Sequence, residues 1–294
     1  MEHEVRIGPA GWSYDDWKGI VYPAGANSKF DELHYLANYF DTIEINSTFY
    51  RPPSPSASKS WARRVSHNSR FRFTAKLYQR FTHERGASTA EDEKSYRAGI
   101  DPLAEAGRLG AILIQFPWSF KNTDEERLHL NHLINSFSDY PLVVELRHAS
   151  WNQPEVYEWL QEQRVGFCNI DQPIFSRSIK PSALATSQVG YVRLHGRNYK
   201  SWFTRLGDKP EERAERYNYL YSREELEPWL DKIRHVAEHA RGTYVVTNNH
   251  FRGKGIVNAL EMKAELEGKK VPAPPTLLKE YPIVGEYVVP EERT

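Results

Sequence analysis

A single cysteine, Cys168, sits in the apolar run Val165–Ile170 of this 294-residue chain. One thiol excludes an intrachain disulfide and any multi-cysteine metal or iron–sulfur centre, and it fits a reducing compartment. Excess charge of one sign is also missing, since 39 Lys and Arg stand against 39 Asp and Glu. No whole-chain field therefore recruits nucleic acid or an anionic membrane, although a local basic groove is compatible with this balance. No apolar run approaches the ~20 residues of a membrane span. The opening MEHEVRIG lacks the basic-then-apolar order of a signal peptide. The expectation is a soluble cytoplasmic protein with no membrane partner. No Gly-x-Gly-x-x-Gly follows the first strand, which disfavours a dinucleotide fold.

What is abundant is aromatic: 17 Tyr, 13 Phe and 8 Trp exceed what a core alone asks for and point to a deep, ring-lined pocket. A Trp- and Tyr-rich core accounts for part of the excess. Short strands read at Val5–Ile7, Thr42–Asn46, Phe71–Ala75, Gly110–Gln115, Leu142–Arg147, Val165–Ile170, Tyr191–His195 and Thr243–Thr247. Helical spacing fills most of the intervals, at Asp31–Phe40, Ser56–Val65, Glu91–Ala106, Asp124–Phe137, Pro154–Gln163, Ser222–His239 and Ile256–Leu266. Ser222 and Glu225 have capping-box spacing. Gly196–Tyr221 reads as a long loop after the seventh strand, and Val271–Thr294 as a Pro-rich tail wrapping the outside. Eight β-then-α units predict an α/β fold, a single-domain (β/α)8 TIM-type barrel over residues 1–270 with the tail, 271–294, packed on it. An open doubly wound sheet is the alternative.

Side-chain parity sharpens this. In a barrel the outward strand residues meet helices and are apolar, while inward ones fill the interior and carry function at the C-terminal rim. The stretch LVVELRHASW, Leu142–Trp151, shows the habit, with Val144 and Leu146 outward and Glu145 and Arg147 inward. The same rule on the other strands sends Glu44, Asn46, Lys76, Gln115, Asp171, Arg193, His195 and Asn248 inward near the rim. Buried charges are costly unless paired. Glu44, Glu145 and Asp171 therefore balance Lys76, Arg147 and Arg193, and a purely structural ion-pair network is the competing reading.

The segments GWSYDDWKGIVYP, FDTIEINSTFYRPPS, FRFTAKLYQRFTH, GAILIQFPWSF, VVELRHASW, YVRLHGR and NNHFRGKGIVNA together resemble the YecE-like domain-of-unknown-function family (number 72 in that series), from about Ile7 to Ala259. The resemblance implies a TIM-type barrel and the pocket, but no reaction. Carried onto this sequence, its motif positions include Trp12, Tyr14, Asn46, Tyr50, His83, Trp151, Arg197, Asn249 and His250, besides the inward set. Thr247 departs from it, standing where an aromatic is commoner. The stretch Trp202–Tyr219 is longer than the resemblance leads one to expect, and reads as a lid or a partner surface.

These residue types suggest chemistry. Lys76, near Arg and apolar walls, is a candidate nucleophile or general base. Glu145 and Glu44 are acid/base candidates, with Asp171 in the same catalytic ring, and His195 and His250 can shuttle protons near neutral pH. Arg147, Arg193 and Arg197, with Arg80 from a loop, form a clamp for phosphate or carboxylate. Trp12, Tyr14, Tyr50, Trp151 and Tyr199 supply flat stacking surfaces, and Asn46, His83, Gln115, Asn248 and Asn249 complete the substrate-binding set. The expected function is an enzyme acting on a small anionic substrate, a phosphorylated sugar or nucleotide-like molecule, by acid/base or lysine-assisted chemistry. A nucleic-acid-processing or nucleic-acid-binding protein and a non-catalytic metabolite-binding protein are the alternatives. Neutral net charge speaks against the nucleic-acid reading. No cofactor is required by the sequence. A divalent metal on Glu44, Glu145, Asp171, His195 and His250 is a minor alternative, because no compact ligand motif is present and three cations crowd the site.

Overall fold

The computed structural model describes residues 3–84, 86–202 and 214–290. Eight parallel strands form one sheet: β1 (Glu4–Pro9), β2 (Thr42–Ile45), β3 (Arg72–Lys76), β4 (Leu109–Gln115), β5 (Leu142–Glu145), β6 (Gly166–Asp171), β7 (Val189–Leu194) and β8 (Gly242–Thr247). From β2 onward each strand pairs with the next in sequence, and β8 pairs with β1. The seam between β1 and β2 closes at the rim. Ala10 bridges Glu44, and the Gly11 N–H donates to the Glu44 carbonyl at 2.8 Å. The fold is a TIM-type α/β barrel.

Gly8 lets that seam close. A Cβ there would lie 1.8 Å from the Thr42 carbonyl oxygen, which is backbone and cannot swing away. The two strands approach this closely only because β1 has no side chain at that point.

Helices alternate with the strands: α1 (Glu32–Leu36), α2 (Ser47–Tyr50), α3 (Pro55–Arg64), α4 (Gln79–Thr82), α5 (Ala90–Glu105), α6 (Asp124–Ser136), α7 (Pro154–Glu162), α8 (Arg223–Glu238) and α9 (Lys254–Glu267). Their ends follow from capping chemistry. Thr89 with Asp92 and Ser222 with Glu225 form complete capping boxes, and Thr123 accepts from the Glu126 N–H. Helix α9 lies between Gly253 and Gly268, both at positive φ. The one-turn helices α2 and α4 fall where the sequence reads as loop, and they turn the chain just past β2 and β3. In the tail, Val271–Ala273 pairs in parallel with Val288–Pro290, and Leu277 and Val284 are buried. Among the described residues no helix is long and apolar enough to cross a membrane. Of the stretch 202–219 read as a lid or partner surface, residues 203–213 lie outside the described residues.

Parity holds on β2, β5, β7 and β8 but inverts on β6. Cys168, assigned outward from the sequence, points inward with its sulfur 3.9 Å from Glu145 Oε2. Asp171, assigned inward, points out toward α8 and accepts from the indole N–H of Trp229 at 2.6 Å. The reason is physical. The polar residues of β6 find their partners outside the barrel, Asn169 with Ser182 and the Leu184 carbonyl and Asp171 with Arg197, Tyr221 and Trp229, so polarity marks the outward face of this strand.

The seam supplies a test. Gly8→Ala is expected to destabilise the protein by about 1–3 kcal/mol through overpacking. Gly25→Ala, where an added Cβ meets nothing within 4 Å, serves as the control. Urea denaturation of both variants measures the difference, and equal midpoints would remove Gly8 from the account of closure.

Candidate active site

At the C-terminal rim of the barrel lies a cavity of about 710 Å³, and its floor is built on one guanidinium. Arg193, fully buried on β7, donates from Nη1 to Glu145 Oε2 at 2.5 Å and to Gln115 Oε1 at 2.9 Å. Its Nη2 donates to Glu44 Oε1 at 2.7 Å. The other oxygen of Glu145 takes Arg147, with Nε at 2.7 Å and Nη2 at 2.6 Å. The other oxygen of Glu44 accepts the Tyr191 hydroxyl at 2.9 Å. Each buried carboxylate is thus paired and hydrogen-bonded, the condition for keeping its charge in a low-dielectric interior. Burial alone would raise the Glu145 pKa, but the Arg193 and Arg147 charges outweigh it and hold the carboxyl well below the usual range.

His195 stands beside this floor. The Asn248 amide donates to Nδ1 at 3.0 Å, which leaves the ring proton on Nε2, 3.4 Å from Glu145 Oε1. Burial drives the His195 pKa down to about 3, so the ring is neutral at physiological pH. Burial likewise lowers His250 to about 4, and burial with the nearby Lys76 and Arg147 charges lowers His83 to about 4. His250 lies stacked on Tyr14, ring centroids 4.4 Å apart.

Lys76 differs from the ion-paired groups of the floor. It ends β3, and its carbonyl is held by the Thr48 hydroxyl at 2.7 Å and the Tyr96 hydroxyl at 3.0 Å. Its Nζ lies 4.3 Å from the centroid of the Phe49 ring and has no hydrogen bond or ion pair among the described residues. The partners a structural reading would assign to it, Glu44 and Glu145, are already held by arginines. Burial and the Arg193 charge lower the Lys76 pKa to about 7. About half of such amines are uncharged at neutral pH.

The structure sorts the residues picked from sequence into three places. Trp12, Tyr14, Asn46, Tyr50, Lys76, His83, Gln115, Arg147, His195, Asn248 and His250 line the cavity. Glu44, Glu145 and Arg193 form the layer beneath it. The rest lie elsewhere. Asp171 is clamped by Arg197 at 2.9 and 2.6 Å on the outer side of β6, and Asn249 is tied to Tyr219 and Asn258 behind the wall. Trp151 does not wall the pocket, because its ring stacks on Phe120 and its indole donates to the Phe120 carbonyl at 3.0 Å. Tyr199 is half exposed and accepts from the Ile174 N–H at 3.1 Å. Arg80 pairs with Asp92 at 3.2 Å. Of the arginine clamp read from sequence, only Arg147 faces the cavity.

Sequence reasoning passes over Trp118, Gln172, Trp202, Arg216 and Tyr217, which also line it. Trp118 stands in the FPWSF break quoted for the family, and Gln172 follows β6 directly. The other three come from the loop after β7, whose residues have no period to reveal them. Gln172 is buried and its Oε1 has no hydrogen-bond partner among the described residues. As for a metal, the carboxylates of the minor alternative are all committed to guanidiniums. Among the described residues, the group that could hold an ion is His235, Glu238 and His239, exposed on the last turn of α8 and outside the cavity.

Fold and cavity together define a TIM-type barrel protein with an ion-paired floor under a cation- and ring-lined mouth. A family model described as "Protein of unknown function DUF72" matches residues 6–280, and the chain belongs to that family. The crystal structure of a DUF72 family protein from Thermotoga maritima is 34% identical, with a TM-score of 0.77, covering 90% of this chain and 100% of that one. A DUF72 family protein from Enterococcus faecalis is 26% identical, TM-score 0.76, over 90% and 95% of the two chains. The UPF0759 protein YecE of Escherichia coli is 24% identical over 193 residues, 65% of this chain. The chain spans 62% and 50% of the length of the two curated relatives it matches, both YecE proteins.

Removing the floor cation should be severe. Arg193→Met strands two buried carboxylates and is expected to cost about 3–5 kcal/mol in urea denaturation at neutral pH. The deficit should narrow in acid. Stability that Glu145 draws from a depressed pKa is present above the ordinary carboxylate range near pH 4 and is lost as pH falls through and below it. A deficit under ~1 kcal/mol would mean that the floor does not depend on this guanidinium.

Proposed function

We propose that the cavity is the active site of an enzyme acting on a small anionic molecule, a phosphorylated sugar or nucleotide-like compound, with Lys76 as its reactive amine. One observation carries this reading. Lys76, Arg147 and Arg216 line the cavity, and no Asp or Glu does among the described residues. A mouth with cations and no carboxylate attracts negative charge, and its low-dielectric walls strengthen the attraction. Arg147 contributes a guanidinium already oriented by Glu145, so little ordering entropy is lost when an anion docks. Trp12, Tyr14, Tyr50 and Tyr217 supply ring faces for a sugar or base. The amide groups of Asn46, Asn248, Gln115 and Gln172 can fix hydroxyls. The Gln172 oxygen, buried with no partner among the described residues, can accept from a bound hydroxyl.

Binding follows from mass action. Glucose 6-phosphate and adenosine monophosphate are expected to raise the melting temperature in a concentration-dependent way, and glucose and adenosine to raise it less. Arg147→Met should reduce the difference at least tenfold in apparent affinity, the equivalent of about 1.4 kcal/mol. Protection by the neutral compounds equal to that by the phosphorylated ones would sink the anion reading.

The amine has its own signature. A folded pKa near 7, below the unfolded value near 10.5, means that the folded chain binds fewer protons between those limits. Stability gains a component that rises with pH across that window, and below pH 7 the lysine is a standing cost. Lys76→Met should therefore stabilise the protein at neutral pH and abolish that component. Urea denaturation of wild type and variant at pH 7 and near pH 10 measures it. An unchanged pH dependence in the variant would place the lysine pKa near its ordinary value.

A further inference from the structure

We infer that Lys76 is a nucleophile, condensing through Nζ with the carbonyl carbon of an anionic aldehyde or ketone, and that His83 carries the protons of that step. This rests on the reading of the cavity as an anion site, and it narrows the substrate to compounds that hold both a negative group and a carbonyl. The geometry turns on one ring. Phe49 has the Lys76 Nζ 4.3 Å from its centroid and the His83 imidazole edge-on at 4.8 Å, interplanar angle 88°. Amine and imidazole therefore both lie against one apolar ring, and both line the cavity. The Thr82 hydroxyl sits 2.8 Å from His83 Nδ1, which leaves Nε2 as the ring atom available for proton transfer.

A lysine kept only to bind anions would gain from staying charged. This one is placed where charge is hard to keep, desolvated and near the Arg193 and Arg147 guanidiniums, with both nearby carboxylates paired to those arginines; the Phe49 face offsets only part of that cost. Desolvation next to other cations is how an amine is made nucleophilic, and the pKa lowered to about 7 agrees with it. His83 is neutral at rest, and the proton it takes is one that the newly bonded nitrogen gives up, so the total charge of the site is unchanged while the ring briefly carries it.

The step balances without oxidant or reductant. The Nζ lone pair forms a C–N bond as the carbonyl π electrons move to oxygen. His83 takes one proton from the ammonium so formed and hands it to that oxygen, which leaves a neutral carbinolamine. The second N–H proton passes through the same ring to the hydroxyl, which departs as water while the nitrogen pair closes C=N. Both amine protons end on the water, and the products are one neutral imine and one water. Arg147 holds the anionic end during the exchange.

Reductive trapping tests this on the full-length protein. Glyoxylate and glyceraldehyde 3-phosphate, each with sodium cyanoborohydride at pH 7, should leave the reduced adduct on the Lys76 peptide at least tenfold above any other lysine, read by peptide mass mapping. Lys76→Arg should lose that adduct, and His83→Ala should slow its formation at least tenfold. Labelling spread evenly over surface lysines overturns the inference, as does an adduct rate indifferent to His83→Ala for the proton role. If Lys76→Arg does not fold, the wild-type peptide map alone decides. If glucose 6-phosphate protects against unfolding while Lys76 stays unlabelled, the imine falls and the anion site stands. If neither is seen, both fall.

Discussion

A single guanidinium, that of Arg193, ties four strands together at the top of the barrel. From β7 it reaches Glu44 on β2, Gln115 on β4 and Glu145 on β5, all within 2.9 Å. Strand pairing alone would leave these elements joined only to their neighbours. The fork joins them across the interior, where no backbone hydrogen bond can. It also sets the charge balance. Two carboxylates are matched by Arg193 and Arg147, so the account closes before Lys76 is counted. The lowered pKa of that lysine comes first from its burial and next from the Arg193 charge.

The neutral histidines follow from the same balance. His83, His195 and His250 all have pKa values pressed down by burial, to about 4, 3 and 4. A protonated imidazole would add a further cation to a cavity that already holds Lys76, Arg147 and Arg216. His195 is held neutral by more than burial, because Asn248 occupies its Nδ1 as a donor and no lone pair is left free. Such a ring orients Glu145 and walls the cavity but does not accept a proton. His83 differs in that its Nδ1 faces the Thr82 hydroxyl and its Nε2 has no hydrogen-bond partner among the described residues.

The barrel and most of the lining were legible in the sequence because several strands alternate cleanly. On β2, β5 and β7 the outward positions carry apolar side chains or glycine, on β8 Val245 stands outward between Thr243 and Thr247, and Glu44, Glu145, Arg193 and Asn248 mark the inward side. On β6 the pattern fails, since Asp171 satisfies its charge with Arg197, Tyr221 and Trp229 outside the barrel. Trp151 was misplaced for another reason. It follows the strand by a short 3-10 turn, Ala149–Trp151, and past the end of a strand the alternation rule no longer says where a side chain points. Trp202, Arg216 and Tyr217 reach the cavity from an irregular segment with no periodicity at all.

Position 76 shows why the choice between two cations matters. Arginine there would keep its charge at any physiological pH, and its planar head would demand a carboxylate that the floor has already given to Arg193 and Arg147. Lysine alone among the basic side chains long enough to reach over Phe49 can shed its proton near neutrality. A cavity needing only positive charge would be better served by the guanidinium, which holds anions in two places at once. Among the described residues Lys76 has no ion pair, and unlike Arg147 and Arg216 in the same lining it can exist as a neutral amine.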